Sequence, residues 1–106
     1  MMRVVDLKAM ISDSYEKREK NIIYNVKEFK VRSIKLPADG KMPDCEMPPY
    51  VIFYVMGGSV DITVNQEKAT INEGQCLISD EPATISMRSI DGATIMGIQI
   101  PVRNGV

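Results

Sequence analysis

The sequence has no histidine and no tryptophan. Without an imidazole there is no His metal ligand, and no side chain whose ordinary pKa lies near neutrality. His-ligated zinc or iron chemistry and every Ser–His or Cys–His nucleophile pair are excluded on that ground. An excess of charge of one sign is also missing: 13 Lys and Arg stand against 14 Asp and Glu, a net charge of -1. That balance gives no electrostatic case for a nucleic-acid or membrane partner. Long apolar runs are absent, since the longest, Tyr50 to Met56, has seven residues and falls far short of a membrane span. The opening residues Met1 to Asp6 hold no apolar stretch of the signal-peptide kind, and the cytoplasm is the expected compartment. Cysteine is scarce. Cys45 and Cys76, 31 positions apart, read as a pair of reduced thiols; a disulfide between them needs an oxidising compartment and a geometry that sequence does not test.

What is present fits one globular domain. The chain has 106 residues, 44% hydrophobic and 25% charged, close to the average for folded domains. Asp6 is placed as the cap of a short helix, with Leu7, Met10, Ile11 and Tyr15 on one face. Asp13/Lys17 and Glu16/Lys20 are i,i+4 pairs on its solvated end. Residues 1–20 are read as an N-terminal helix and arm, and residues 21–106 as an all-β barrel domain.

From Ile22 onward the apolar period is two. Ile22, Tyr24 and Val26 alternate with Ile23, Asn25 and Lys27, and Phe29 and Val31 with Lys30 and Arg32. Ile34 and Leu36 then take the other phase, which predicts a bulge near Ser33 or a strand apolar on both faces. Lys27, Lys30, Arg32 and Lys35 read as an outward, solvated strand surface. Leu36 to Gly40 reads as a turn, and Lys41 to Pro49, with its three prolines, as an irregular loop. Tyr50 to Met56 is too apolar for a strand with one wet face and is placed centrally. Gly57-Gly58 is expected to break it before Val60, Ile62 and Val64 resume the alternation. Asn65 to Lys68 reads as a hairpin turn with Ala69 to Ile71 returning. Cys76 to Ile78, Thr84 to Arg88 and Thr94 to Ile100 complete a set of short strands that predicts a sandwich or barrel.

At this point the motifs resemble those of the cupin superfamily. Leu36-Pro37, Pro43 and the run Tyr50-Val51-Ile52-Phe53-Tyr54-Val55-Met56-Gly57-Gly58-Ser59-Val60-Asp61-Ile62-Thr63-Val64 are similar to its first motif. Asn72-Glu73-Gly74-Gln75 with Pro82-Ala83-Thr84-Ile85-Ser86-Met87-Arg88 is similar to its second. The resemblance spans Leu36 to Ile100 and implies a cupin-like antiparallel β-barrel, or jelly roll, that pairs as a homodimer through its N-terminal strands. It also marks a departure. Where metal-binding cupins place their ligands, this chain has Cys45, Met47, Val51 and Ile85, and Gln75 stands where the second motif usually has Asp. The family's metal site is therefore not carried over, and no cofactor is expected.

In a cupin barrel those four positions point inward. The implied interior is Cys45, Met47, Val51, Phe53, Val55, Ile85 and Met87, with Met96 and Ile98 beside them. Four uses of that surface stay open. It fills the barrel with side chains. It lines an apolar small-ligand pocket with Asp44, Glu46, Tyr50 and Arg88 at the rim. It binds a soft metal, copper or zinc, through Cys45, Met47 and an inward Cys76. Or it serves an enzyme without metal, using Cys45 or general acid–base groups drawn from Asp44, Glu46, Asp80, Glu81 and Tyr50. Non-catalytic small-molecule binding, or a structural or regulatory role, is the expected function.

Overall fold

Short aliphatic runs between turn residues become eight strands: β1 Ile22–Asn25, β2 Lys30–Leu36, β3 Gly40–Met47, β4 Tyr50–Val64, β5 Glu67–Asn72, β6 Cys76–Ser79, β7 Ala83–Ser89 and β8 Ala93–Ile100. This computed structural model describes residues 2–7 and 21–101. Past Leu7, the expected helix lies outside the described residues. No α-helix is found among those that are described, so it has no support there.

β4 organises the molecule. Its first half pairs with β8 and β6, and its second half with β7 and β5, all antiparallel. The strand order β1-β2-β8-β4-β7-β3 therefore curls through β4 into two facing layers. The change of partners falls at a register shift between Val55 and Gly57. Gly58 sits there with φ 77°, in the left-handed region that a residue without Cβ enters at no steric cost. The expected break at Gly57-Gly58 is thus a bend inside one 15-residue strand.

Alternation then sorts the side chains. On the first layer Val51, Phe53 and Val55 of β4 face inward with Ile34 and Leu36 of β2 and Ile95 of β8, all buried. Met42 and Met47 of β3, Val60 and Ile62 of β4, and Ile85 and Met87 of β7 meet them from the second layer in one hydrophobic core. Each such side chain contributes about 1.5–3 kcal/mol by leaving water.

Three local expectations are corrected. Lys41 to Met47 is strand, not loop: a register shift between Met42 and Cys45 sets Pro43 and Asp44 opposite the single residue Ser86, so the proline sits in a bulge and removes no needed hydrogen bond. Of the two readings for the region of Ser33, the strand apolar on both faces holds: β2 runs in unbroken register with β8 from Lys30↔Gln99 to Leu36↔Ala93, and the irregularity lies in β1 between Ile22 and Tyr24. In β8 the inward residues are Ile95 and Gly97, while Met96 and Ile98 stand half-buried on the opposite face. The hairpin turn narrows to Asn65-Gln66, Asn65 taking φ 53°, and Glu67 and Lys68 already belong to β5.

Candidate functional site

A cleft of about 450 Å³ opens between β2 and β8 on one side and β3 on the other, with Asn25 at the end of β1 and Val26 and Phe29 of the β1–β2 connection at its edge. Strand register lays out the inward rows of the first layer, from which Ile34, Arg32, Lys30, Phe53, Gly97 and Gln99 reach the cleft. Ile34, Ile95 and Val55 stand in one inward row across the first layer. Arg32, Gly97, Phe53 and Leu77 form the next row, and Lys30, Gln99, Val51 and Ser79 the one after. The β2 and β8 members of these rows thus pass from aliphatic to charged and amide groups towards one end of the layer. A Cβ on Gly97 would lie 3.1 Å from Cε1 of Phe53, so the glycine leaves the space that the Phe53 ring uses.

Polar contacts tie the two walls together. The Arg32 Nε–H donates to Oε1 of Gln99 at 3.2 Å. The Gln99 Nε2–H donates to Sδ of Met47 at 3.1 Å. Arg32 is half-buried, and no carboxylate among the described residues pairs with it. Glu46 is the one carboxylate of the lining among the described residues, and its Oε1 accepts the Thr84 hydroxyl at 3.1 Å. With Lys30 and Arg32 also in the lining, positive charge predominates.

The residues singled out from sequence divide into three groups. Cys45, Met47 and Phe53 line the cleft. Val51, Ile85 and Met87 lie in the core beneath it, and Cys45 and Ile85 are direct cross-strand partners. Tyr50 is half-buried and away from the lining. Arg88 is exposed on the outer face of the second layer, opposite Lys41 and Asp61, because β7 points Ile85 and Met87 inward and its alternate residues out. Asp44 is exposed in the β3 bulge, and Asp80 and Glu81 are exposed in the β6–β7 connection. Cys76 is exposed and pairs in register with Tyr54, on the face turned away from the core, so it does not join Cys45.

Sequence reading missed Arg32, Lys30 and Gln99, and assigned the two cations to an outward surface. The signal was present: Lys30 and Arg32 share the phase of Ile34 and Leu36, which are buried.

No family model matches the sequence, and no curated protein matches it. Solved structures do match. The conserved protein SPY1581 of unknown function from Streptococcus pyogenes aligns with a TM-score of 0.76 at 14% identity, over 97% of this chain and 90% of that one. A cupin superfamily protein from Desulfitobacterium hafniense DCB-2 aligns at 0.74 and 7% identity, over 91% and 87%. The cupin domain of Cnp3 from Schizosaccharomyces pombe aligns at 0.69 and 14% identity, over 76% of this chain and 62% of that one. This chain has the cupin fold. At such identities the likeness is one of fold alone.

The residues at the cupin metal positions do not suit a metal. Val51 and Ile85 are 1% and 0% exposed and carry no donor atom. Cys45 and Met47 supply two sulfurs, short of the four ligands of a tetrahedral zinc site. Among the described residues no three Cys, Asp or Glu come together to hold an ion.

Proposed function

We propose that this cupin binds a small molecule in the cleft beside Cys45 and Met47, and that its role is binding rather than catalysis. The observation that carries the reading is the cleft itself. Its roughly 450 Å³ falls within the range of small-ligand sites, and its wall combines apolar side chains with a few fixed polar groups. The barrel interior itself is filled, with Val51, Phe53, Val55, Ile85 and Met87 at most 2% exposed, so the space for a ligand lies at its edge. The carboxylates considered for acid–base work, Asp44, Glu46, Asp80 and Glu81, are all exposed, which favours solvation over catalysis.

The test uses Cys45 as a reporter in a Cys76→Ser background. Saturating 1-anilinonaphthalene-8-sulfonate, an apolar dye with an anionic group, is expected to slow alkylation of Cys45 several-fold. An unchanged rate overturns the reading.

The binding unit proposed is a homodimer. On the outer face of the first layer Val31, Ile98, Ile52 and Ile78 form one row, and Ser33, Met96, Tyr54 and Cys76 the next. Neither row holds a charge, and Ser33 is already buried, so a second copy seated on the exposed Ile78, Tyr54 and Cys76 would bury none. Sedimentation at micromolar concentration should give twice the chain mass, and Ile78→Lys, at a site 69% exposed, should give the single mass without loss of fold.

A further inference from the structure

We infer that the group recognised in the cleft is a carboxylate, held by Arg32, on a molecule whose apolar part lies towards Val26, Phe29 and Pro48. This rests on the reading of the cleft as a ligand site and adds the chemical class. A half-buried guanidinium is costly to desolvate unless an anion or several acceptors meet it. Arg32 has one acceptor among the described residues, the neutral amide of Gln99. That bond engages Nε and leaves the other guanidinium N–H groups for a partner.

The fork is also fixed in place. Gln99 is held on its far side by Sδ of Met47, so the amide that orients Arg32 is itself anchored on the opposite wall. A guanidinium oriented in advance loses less freedom on meeting a planar carboxylate, and presents two parallel donors to its two oxygens. Charge in the lining points the same way. Lys30 stands one inward row from Arg32, against the single carboxylate of Glu46. An amine would find one exposed acid, already accepting a hydrogen bond from Thr84. Val26, Phe29, Cys45 and Pro48 line the same cleft and keep accessible apolar surface, so they offer hydrocarbon to the ligand's body.

Calorimetric titration of the full chain with hexanoate, hexan-1-ol and hexylamine tests the assignment, because the three share one tail. Hexanoate is expected to bind about tenfold or more tightly than hexan-1-ol, as a charge-assisted bond to one oriented Arg allows, with hexylamine weakest. Arg32→Gln should erase the preference for hexanoate over hexan-1-ol, and Arg32→Lys should keep part of it. If hexan-1-ol binds the unaltered chain as well as hexanoate does, the carboxylate assignment fails and the cleft survives as a ligand site. If none of the three binds, both fail together. The comparison on the unaltered chain needs no variant to fold.

Discussion

Gly58→Ala is expected to destabilise the fold by about 3 kcal/mol or more. Two costs act together. Gly58 has φ 77°, where a Cβ crowds its own carbonyl. The added carbon would also overlap the backbone oxygen of Gly92 and lie 3.0 Å from Cα of Ala93. Those are main-chain atoms of the β7–β8 turn and of β8, so no side-chain rotation relieves the contact. The site is the bend at which β4 leaves β8 for β7, and a shift there disturbs both layers. Gly57→Ala is the control. Nothing lies within 4 Å of a Cβ at Gly57, and its φ is not positive, so a change below about 1 kcal/mol is expected. Urea midpoints at constant slope measure both, and equal losses for the two variants would remove Gly58 as the pivot of the fold.

Phe53→Ala is expected to cost about 3–5 kcal/mol. The ring is 1% exposed and belongs both to the core and to the wall of the cleft. Its loss leaves a hole that a β-barrel wall, pinned by register on both sides, collapses into poorly. The cross-strand glycine gives a sharper check. A Cβ at Gly97 meets Cε1 and Cδ1 of Phe53 at 3.1 and 3.2 Å, so Gly97→Ala crowds the intact ring. In the Phe53→Ala background the same methyl enters vacated space. Gly97→Ala should therefore cost clearly less there, with a coupling of about 0.5–3 kcal/mol in a double-mutant cycle. Additive losses would mean that the two residues do not share one volume.

Inward phase was legible in the sequence wherever one face of a strand is polar. β7 sets Ala83, Ile85 and Met87 against Thr84, Ser86 and Arg88, and the second half of β4 sets Val60 and Ile62 against Ser59, Asp61 and Thr63. In both, alternation alone gives the buried set. It fails in β2 and β8, where the outer face is apolar too: Val31 and Ile98 are as hydrophobic as Ile34 and Ile95. A two-residue period cannot choose between two greasy faces, so Met96 and Ile98 were assigned to the interior and Arg32 to solvent. β3 failed for another reason. Proline normally breaks a strand, but Pro43 occupies a bulge, and a bulge depends on the partner strand rather than on the residue itself. The cleft's hydrogen bonds join residues as far apart as Arg32 and Gln99, which no local pattern pairs.

Methionine methyl NMR tests the site most directly, because the chain carries its own reporters. Met42 and Met47 line the cleft, whereas Met96 sits on the opposite face of the first layer. With methyl-13C methionine, titration with 1-anilinonaphthalene-8-sulfonate is expected to move the Met42 and Met47 resonances together and to leave Met96 in place. Movement of Met96 with Met42 and Met47 unmoved would contradict a binding cleft between β2, β8 and β3.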